Sequence, residues 1–362
     1  MSWDEFWAQF EAADYGEKLS ISHEYLNGVD ATRNMVFEML SVLLTETRTR
    51  GDYETFAELV ERVKTMHPGI YKEDAVFYSM FLVENMALEG EFKDLAIVLE
   101  PFAQDPEAID EFIRVIELLM YHSRTEPLLE VMKEVYPKVM RSDEIIPPGK
   151  DEFAYRLGMF IIFKGLEKGV DRNTIHSEVA NYWSAVSKTY VKDLVARLQG
   201  EISESWRREE FIKGILKKKE IAEKILNLTL DYMRRLTERG MSFSRALLAR
   251  DSLVEYLLGR EHYPRVKKGG HLLLPMKAPL DRHFANYLSF LNHLPYRVAS
   301  LIEALPGYYE YLIDNGLIDE TEFRRKLKAI KSLKEDVMNY FSSASDLEKE
   351  ILSDIEAAWR EY

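Results

Sequence analysis

Apolar residues recur along this chain at the three- and four-residue spacing of a helix face, and long strand-like alternation is absent. Met35, Val36, Met39, Leu40 and Leu43 predict a helix capped by Asp30 and running to about Arg50. Phe56, Leu59, Val60 and Val63 predict its partner, opened by Asp52 and stopped at His67-Pro68-Gly69. The same pattern returns over 72–89 and 91–103, then from Asp105-Pro106 to Met120, then from Thr125 to Val135. Ahead of these, Ser2 and Glu5 form a capping box for a short helix over 2–14. Its Trp3, Phe6, Trp7 and Phe10 share one face, which is either core or a docking patch.

Two turns organise this first part. Gly51-Asp52-Tyr53 and Gly90-Glu91-Phe92 each place a Gly, an acid and an aromatic between two helical patterns. A Gly can close a helix in the left-handed conformation, and the acid after it can cap the next. The pattern predicts helical hairpins stacked side by side, with turns near 51, 90 and 124.

The pattern changes after Ser142–Lys150, whose Ile146-Pro147-Pro148-Gly149 reads as a linker. The expected division is therefore a hairpin region over 1–145 and a helical bundle over 150–362. In the bundle, helix signals resume at Asp151 and at Asp171, the latter continuing to Leu198 with or without a break. Ser203 to Arg239 then reads as one long helix with a single interior Gly, Gly214. Ser242 caps the next. Residues 260–280 break the helical pattern with Pro264, Gly269-Gly270, Pro275 and Pro279. Asp281 opens short helices, with Leu291 on their apolar face and interruptions at Pro295 and Pro306. Capping boxes at Asp319/Glu322 and Ser345/Glu348 introduce the last two, the final one placing Leu347, Ile351, Ile355 and Trp359 inward.

Composition narrows the class. There is no Cys among 362 residues, which removes disulfides, thiolate metal sites and cysteine catalysis. With Gln confined to positions 9, 104 and 199, the usage is thermophile-like. No apolar run is long enough to span a membrane, and the first residues lack a signal-peptide pattern, so a cytoplasmic protein is expected. The net charge of −14 is unevenly placed: residues 1–160 carry 32 acids and 15 bases, and 161–362 carry 30 and 33. The acidic half should repel nucleic acid.

The Gly-acid-aromatic turns, with Pro68 and Pro106 after them, resemble tetratricopeptide-like repeats over about residues 30–140. The signature Trp and Leu-Gly pair of the first repeat helix are missing, and the third turn has no Gly. The resemblance implies a concave surface for a peptide or protein partner.

No catalytic motif is present. Four of the eight His lie between 262 and 293, but no two have the spacing of a zinc pair on a helix. Phosphate-loop and dinucleotide signatures are missing, and no cofactor is implied. The one concentration of chemistry is basic. Residues 260–282 carry six bases and two acids, with Arg265, Lys267, Lys268, Lys277 and Arg282 as candidates for an anion or partner. The first expectation is thus a non-enzymatic interaction or adaptor protein. Binding of nucleic acid or a phosphate ligand through 260–282 is the second, and a helical enzyme without a recognisable motif the third.

Overall fold

The computed structural model of the chain describes residues 3–28, 31–183, 187–289, 293–344, 349–360 and 362. Ser2, Asp30, Leu291, Ser345, Leu347 and Glu348, which carry three of the expected caps and two apolar positions, lie outside these, as does the side chain of Trp3. The regular elements among the described residues are helices, so the protein is all-α. It divides into two compact units, Met1–Val115 and Ile116–Tyr362. This division falls inside a helix, upstream of the Pro-rich segment at 142–150.

The first unit contains α1 (Trp3–Ala12), α2 (Tyr15–Asn27), α3 (Arg33–Arg50), α4 (Tyr53–Met66), α5 (Pro68–Glu89) and the short α6 (Leu95–Val98) and α7 (Glu100–Gln104). Phe6 and Phe10 of α1 are fully buried with the apolar faces of α3 and α4, so that face belongs to the core. Helix α2 has no counterpart in the sequence expectation, yet it starts on a complete capping box. Asp14 Oδ1 accepts from the Glu17 amide at 2.9 Å, and Glu17 Oε2 accepts from the Asp14 amide at 3.0 Å.

Both organising glycines close their helices in the left-handed conformation, with φ of 68° at Gly51 and 76° at Gly90. Asp52 occupies the cap position of α4 as expected, and its carboxylate also accepts from the Tyr15 hydroxyl at 2.6 Å. After Gly90 the expected helix over 91–103 splits into α6 and α7. Asp94 takes φ 51°, and Pro101 restarts the helix in its first turn, where a missing amide costs nothing. Pro68 behaves the same way. It begins α5 one residue after α4 ends, so α5 is a full turn longer than the 72–89 expected.

Helix α8 (Ile109–Tyr121) carries the division between units. The second unit continues with α9 (Thr125–Arg141), α10 (Pro147–Glu167), α11 (Arg172–Val179), α12 (Lys188–Leu198), α13 (Lys218–Glu238), α14 (Phe243–Leu258), α15 (Lys277–Tyr287), α16 (Pro295–Asp314), α17 (Glu320–Ser343) and α18 (Leu352–Ala358). Helix α14 is its centre. It packs on α13 and α16, and eleven of its 16 residues are buried, more than one face can supply.

Two expectations for this unit are corrected. The long helix over 203–239 exists only from Lys218. Upstream, Arg208–Phe211 is a single 3₁₀ turn, Gly214 sits at φ 100°, and the backbone at 211–213 pairs with residues 269–272 instead of continuing a helix. Local helix propensity loses here to tertiary pairing. Likewise, α16 starts at Pro295 and runs straight through Pro306.

A proline inside a helix removes the bond to the carbonyl four residues earlier. For Pro306 that carbonyl is Ile302 O, and the indole Nε1 of Trp359 donates to it at 2.8 Å. Trp359 is itself 4% exposed. The final segment thus repairs the defect that the proline creates. Trp359→Phe keeps most of the packing and leaves a buried carbonyl without a donor. We expect it to cost about 1–3 kcal/mol, measured as a lowered urea midpoint at unchanged m-value. A variant as stable as the parent would show that the carbonyl finds another donor.

Candidate functional site

The non-helical stretch between α14 and α15 is neither loose nor far from the core. Leu272, Leu273 and Leu274 are buried at 1%, 0% and 4% exposure, and they anchor the chain between helices. Their carbonyls and those of their neighbours are held by buried groups. The Tyr308 hydroxyl donates to Leu273 O at 3.0 Å, Tyr309 donates to Pro275 O at 3.4 Å, and the Met276 amide donates to the Tyr256 hydroxyl at 2.9 Å. The run Tyr308, Tyr309, Tyr311 thereby acquires a role: two of its hydroxyls serve this segment.

Two histidines complete the anchoring. His262 Nε2 meets Leu272 O at 2.8 Å, and His271 Nε2 meets Leu317 O at 3.1 Å. His271 Nδ1 also accepts from the Leu273 amide at 3.2 Å, which requires the neutral ring. Burial pushes both rings down to about 4.

The outer half of the segment is pinned by Lys213. Its ammonium donates to Tyr263 O, Pro264 O and Val266 O at 2.8, 3.1 and 2.6 Å. Backbone bonds reinforce this from the same strand-like stretch. The Lys213 amide donates to Gly270 O, the Gly269 amide to Lys213 O, and the Leu272 amide to Phe211 O, with an antiparallel bridge between Ile212 and His271. Two segments, 212–219 and 263–271, thus lie side by side. Together they hold seven bases (Lys213, Lys217, Lys218, Lys219, Arg265, Lys267, Lys268) and no acid.

The five residues singled out from the sequence separate in the structure. Lys267 and Lys268 are exposed on this platform and make no ion pair with any described residue. Arg265 is also there, but pairs with Glu261 at 3.2 Å. Lys277 and Arg282 belong to helix α15 instead. Lys277 donates to Ser332 Oγ at 2.9 Å and lies 3.7 Å from Asp336, while Arg282 reaches the same Glu261 at 3.1 Å. Although partial burial opposes it, Arg282, Arg265 and Arg260 hold the Glu261 carboxyl below the usual range. One acid therefore neutralises part of the expected patch.

The lysines at 213 and 217–219 replace what is lost there. The apolar spacing places them in the middle of a helix, where their charges would be spread around it. The signal that relocates them is Gly214 within an acid-free stretch. Lys213 and Lys218 also flank Tyr263, their ammonium groups 5.2 and 5.3 Å from its ring centroid. Within the segment 212–219, Ile215 is 63% exposed, among the most exposed large apolar side chains described.

No family model, no curated protein and no solved structure matches this chain. Among the described residues no group of three acids or histidines could hold a metal ion, and no helix is long and apolar enough to cross a membrane.

The two anchoring histidines make the platform acid-sensitive. Their folded values of about 4 lie below the ordinary 6.5, so between these the unfolded chain binds more protons. Their contribution is complete above pH 6.5 and is lost as pH falls towards 4. Each takes away about 1.4 kcal/mol per pH unit across that window. Thermal melts between pH 7 and 5, above the carboxylate range, should show a falling Tm, and His262→Phe should make the fall shallower. A flat profile would contradict the assignment.

Proposed function

We propose that this protein is a non-enzymatic binding protein, an adaptor whose second unit docks an acidic, amphipathic segment of a protein partner on the platform formed by 212–219 and 263–271. The observation that carries the reading is Ile215, exposed on a platform whose Lys267 and Lys268 are exposed and make no ion pair with any described residue. An apolar anchor ringed by charge is the arrangement of an interaction hot spot with a polar rim. The ring supplies steering and register; the anchor supplies contact area. A segment alternating acids with one or two apolar side chains satisfies both.

Nucleic acid is the second reading, and the lysines favour it, since they are point charges suited to phosphate. Two features weigh against it. An exposed isoleucine gains nothing from a phosphate backbone, and the aromatic ring on the platform is already flanked by ammonium groups, whereas single strands are usually held on open aromatic faces.

The two readings separate by fluorescence anisotropy at low salt. The probes are a labelled acidic peptide of Glu and Leu and a single-stranded oligonucleotide of equal charge. We expect the peptide to bind, the double variant Lys267→Glu/Lys268→Glu to weaken it by about tenfold or more, and Ile215→Ser to weaken it several-fold. Tighter binding of the oligonucleotide, with Ile215→Ser silent, would transfer the platform to nucleic acid. If neither probe binds, or if charge reversal changes nothing, the reading fails.

A further inference from the structure

A second feature of Ile116–Tyr362 is independent of the platform. A cavity of about 740 Å³ lies between helices α10, α12, α13 and α14, a size suited to a small molecule. Its walls are largely apolar, built from Met159, Leu194, Leu226, Leu230 and Val254. Polar groups are concentrated at a few places, and their pairing indicates what the cavity would accept.

Two arginines line it, and neither is available to an anion. Arg197 gives both oxygens of Asp231 hydrogen bonds of 2.9 Å and gives Glu204 one of 2.7 Å. Arg250 donates to the Tyr155 hydroxyl at 2.6 Å and to Asp251 at 2.9 Å. A third wall carboxylate, Glu255, is held by Arg297 at 3.0 Å. Two carboxylates remain, Asp193 on α12 and Glu223 on α13. Both are exposed at the cavity and pair with no basic group among the described residues.

The placement of these two obeys one rule on both helices. Three residues before Asp193 stands Tyr190, 53% exposed; three residues after Glu223 stands Leu226, 37% exposed. Positions three apart are neighbours on a helix surface. Each side of the cavity therefore presents a carboxylate without a counter-ion beside a large apolar side chain in contact with water. An apolar lining with a few placed polar groups is the usual make-up of a small-molecule pocket. A carboxylate on each side sets the sign of the charge it would receive.

We infer that this cavity is a binding site for a protonated primary amine carried on a hydrocarbon body, the ammonium received by the carboxylates of Asp193 and Glu223 and the chain lying against the apolar walls. The Tyr190 ring adds a face that attracts the same cation. An anion fits less well, because both arginines already have carboxylate partners and two further carboxylates line the cavity. A plain hydrocarbon would leave the two acids without use. The chemistry is shared by a free alkylamine and by a lysine side chain, which the experiment distinguishes.

The test is a ligand-observed NMR titration of the full chain with octylamine, octanol, octanoate and Nα-acetyl-lysine methylamide. Octylamine should bind about tenfold more tightly than octanol, since each exposed carboxylate contributes a factor of a few, and octanoate should bind weakest. In Asp193→Asn/Glu223→Gln the amine should fall to the affinity of the alcohol. Retained octanol binding in that variant shows that the cavity is intact. Comparable binding of the lysine derivative would identify a side chain of another protein as the natural occupant, and much weaker binding a free amine. Equal affinity of amine and alcohol for the parent, or no loss in the double variant, overturns the proposal.

Discussion

The second unit depends on one buried carboxylate. Glu117 of α8 is 1% exposed, and its Oε1 accepts from Arg156 Nη2 of α10 at 2.8 Å and from Arg297 Nε of α16 at 2.5 Å. Both arginines also bind Glu152 of α10, at 2.9 and 2.6 Å, and Arg297 continues to Glu255 of α14. Burial pushes the Glu117 carboxyl up, against the pull of Arg297 and Arg156. Glu117 Oε2 and Arg156 Nε have no hydrogen-bond partner among the described residues, so the network is not maximally stabilising. Its effect is a constraint. Glu117, Arg156 and Arg297 cannot leave singly without stranding another charge in the interior, which costs several kcal/mol, whereas the assembled set contributes little net stability. Four helices are thereby fixed in register before the apolar packing is counted. The cavity wall at Glu255 and the central helix α14 both inherit their position from it.

The basic platform is rigid for a related reason. Loops usually expose their backbone to water and stay mobile. Here the carbonyls of 263–275 are taken up by an ammonium, one imidazole and two tyrosine hydroxyls, and three consecutive leucines fill the interior beneath. The side chains facing water are then presented by a backbone that has little freedom left to lose. Binding on such a surface costs less ordering than binding on a flexible loop. Under the proposed reading, this favours docking on the stretch that interrupts the helical pattern.

Helix type, the left-handed glycine turns and several caps could be read from residues a few positions apart, because each rests on local chemistry. Asp319 accepting from the Glu322 amide at 2.7 Å is an example, and so is Ser242 at the start of α14. Long-range partners were not legible. Nothing near Pro306 announces that Trp359 will replace its lost donor, so local chemistry predicts a break there. The same holds for 203–217, where apolar spacing fits a helix but pairing with 269–272 decides. Of the five residues expected to form the site, Lys267, Lys268 and Arg265 do share a surface. Lys277 and Arg282 are drawn to Asp336 and Glu261, acids that lie far from Lys277 or on the other side of the loop in sequence. Charge counted along a chain overstates a patch wherever folding brings acids to it.

The distribution of charge also bears on the choice of partner. Residues 1–115 carry 24 acids and 9 bases, while 116–362 carry 38 and 39, so the net charge of −14 resides almost wholly in the first unit. At physiological salt, interactions beyond about 8 Å are largely screened. Under the proposed reading, a partner on the platform senses the exposed lysines beside it rather than the net charge of the chain. During approach, and at low salt, the balance reverses, and a long uniform polyanion is repelled by the molecule as a whole. A short acidic segment with an apolar anchor carries less charge than a long polyanion and is repelled less. The charge distribution and the exposed Ile215 thus favour the same class of partner, from independent physical grounds.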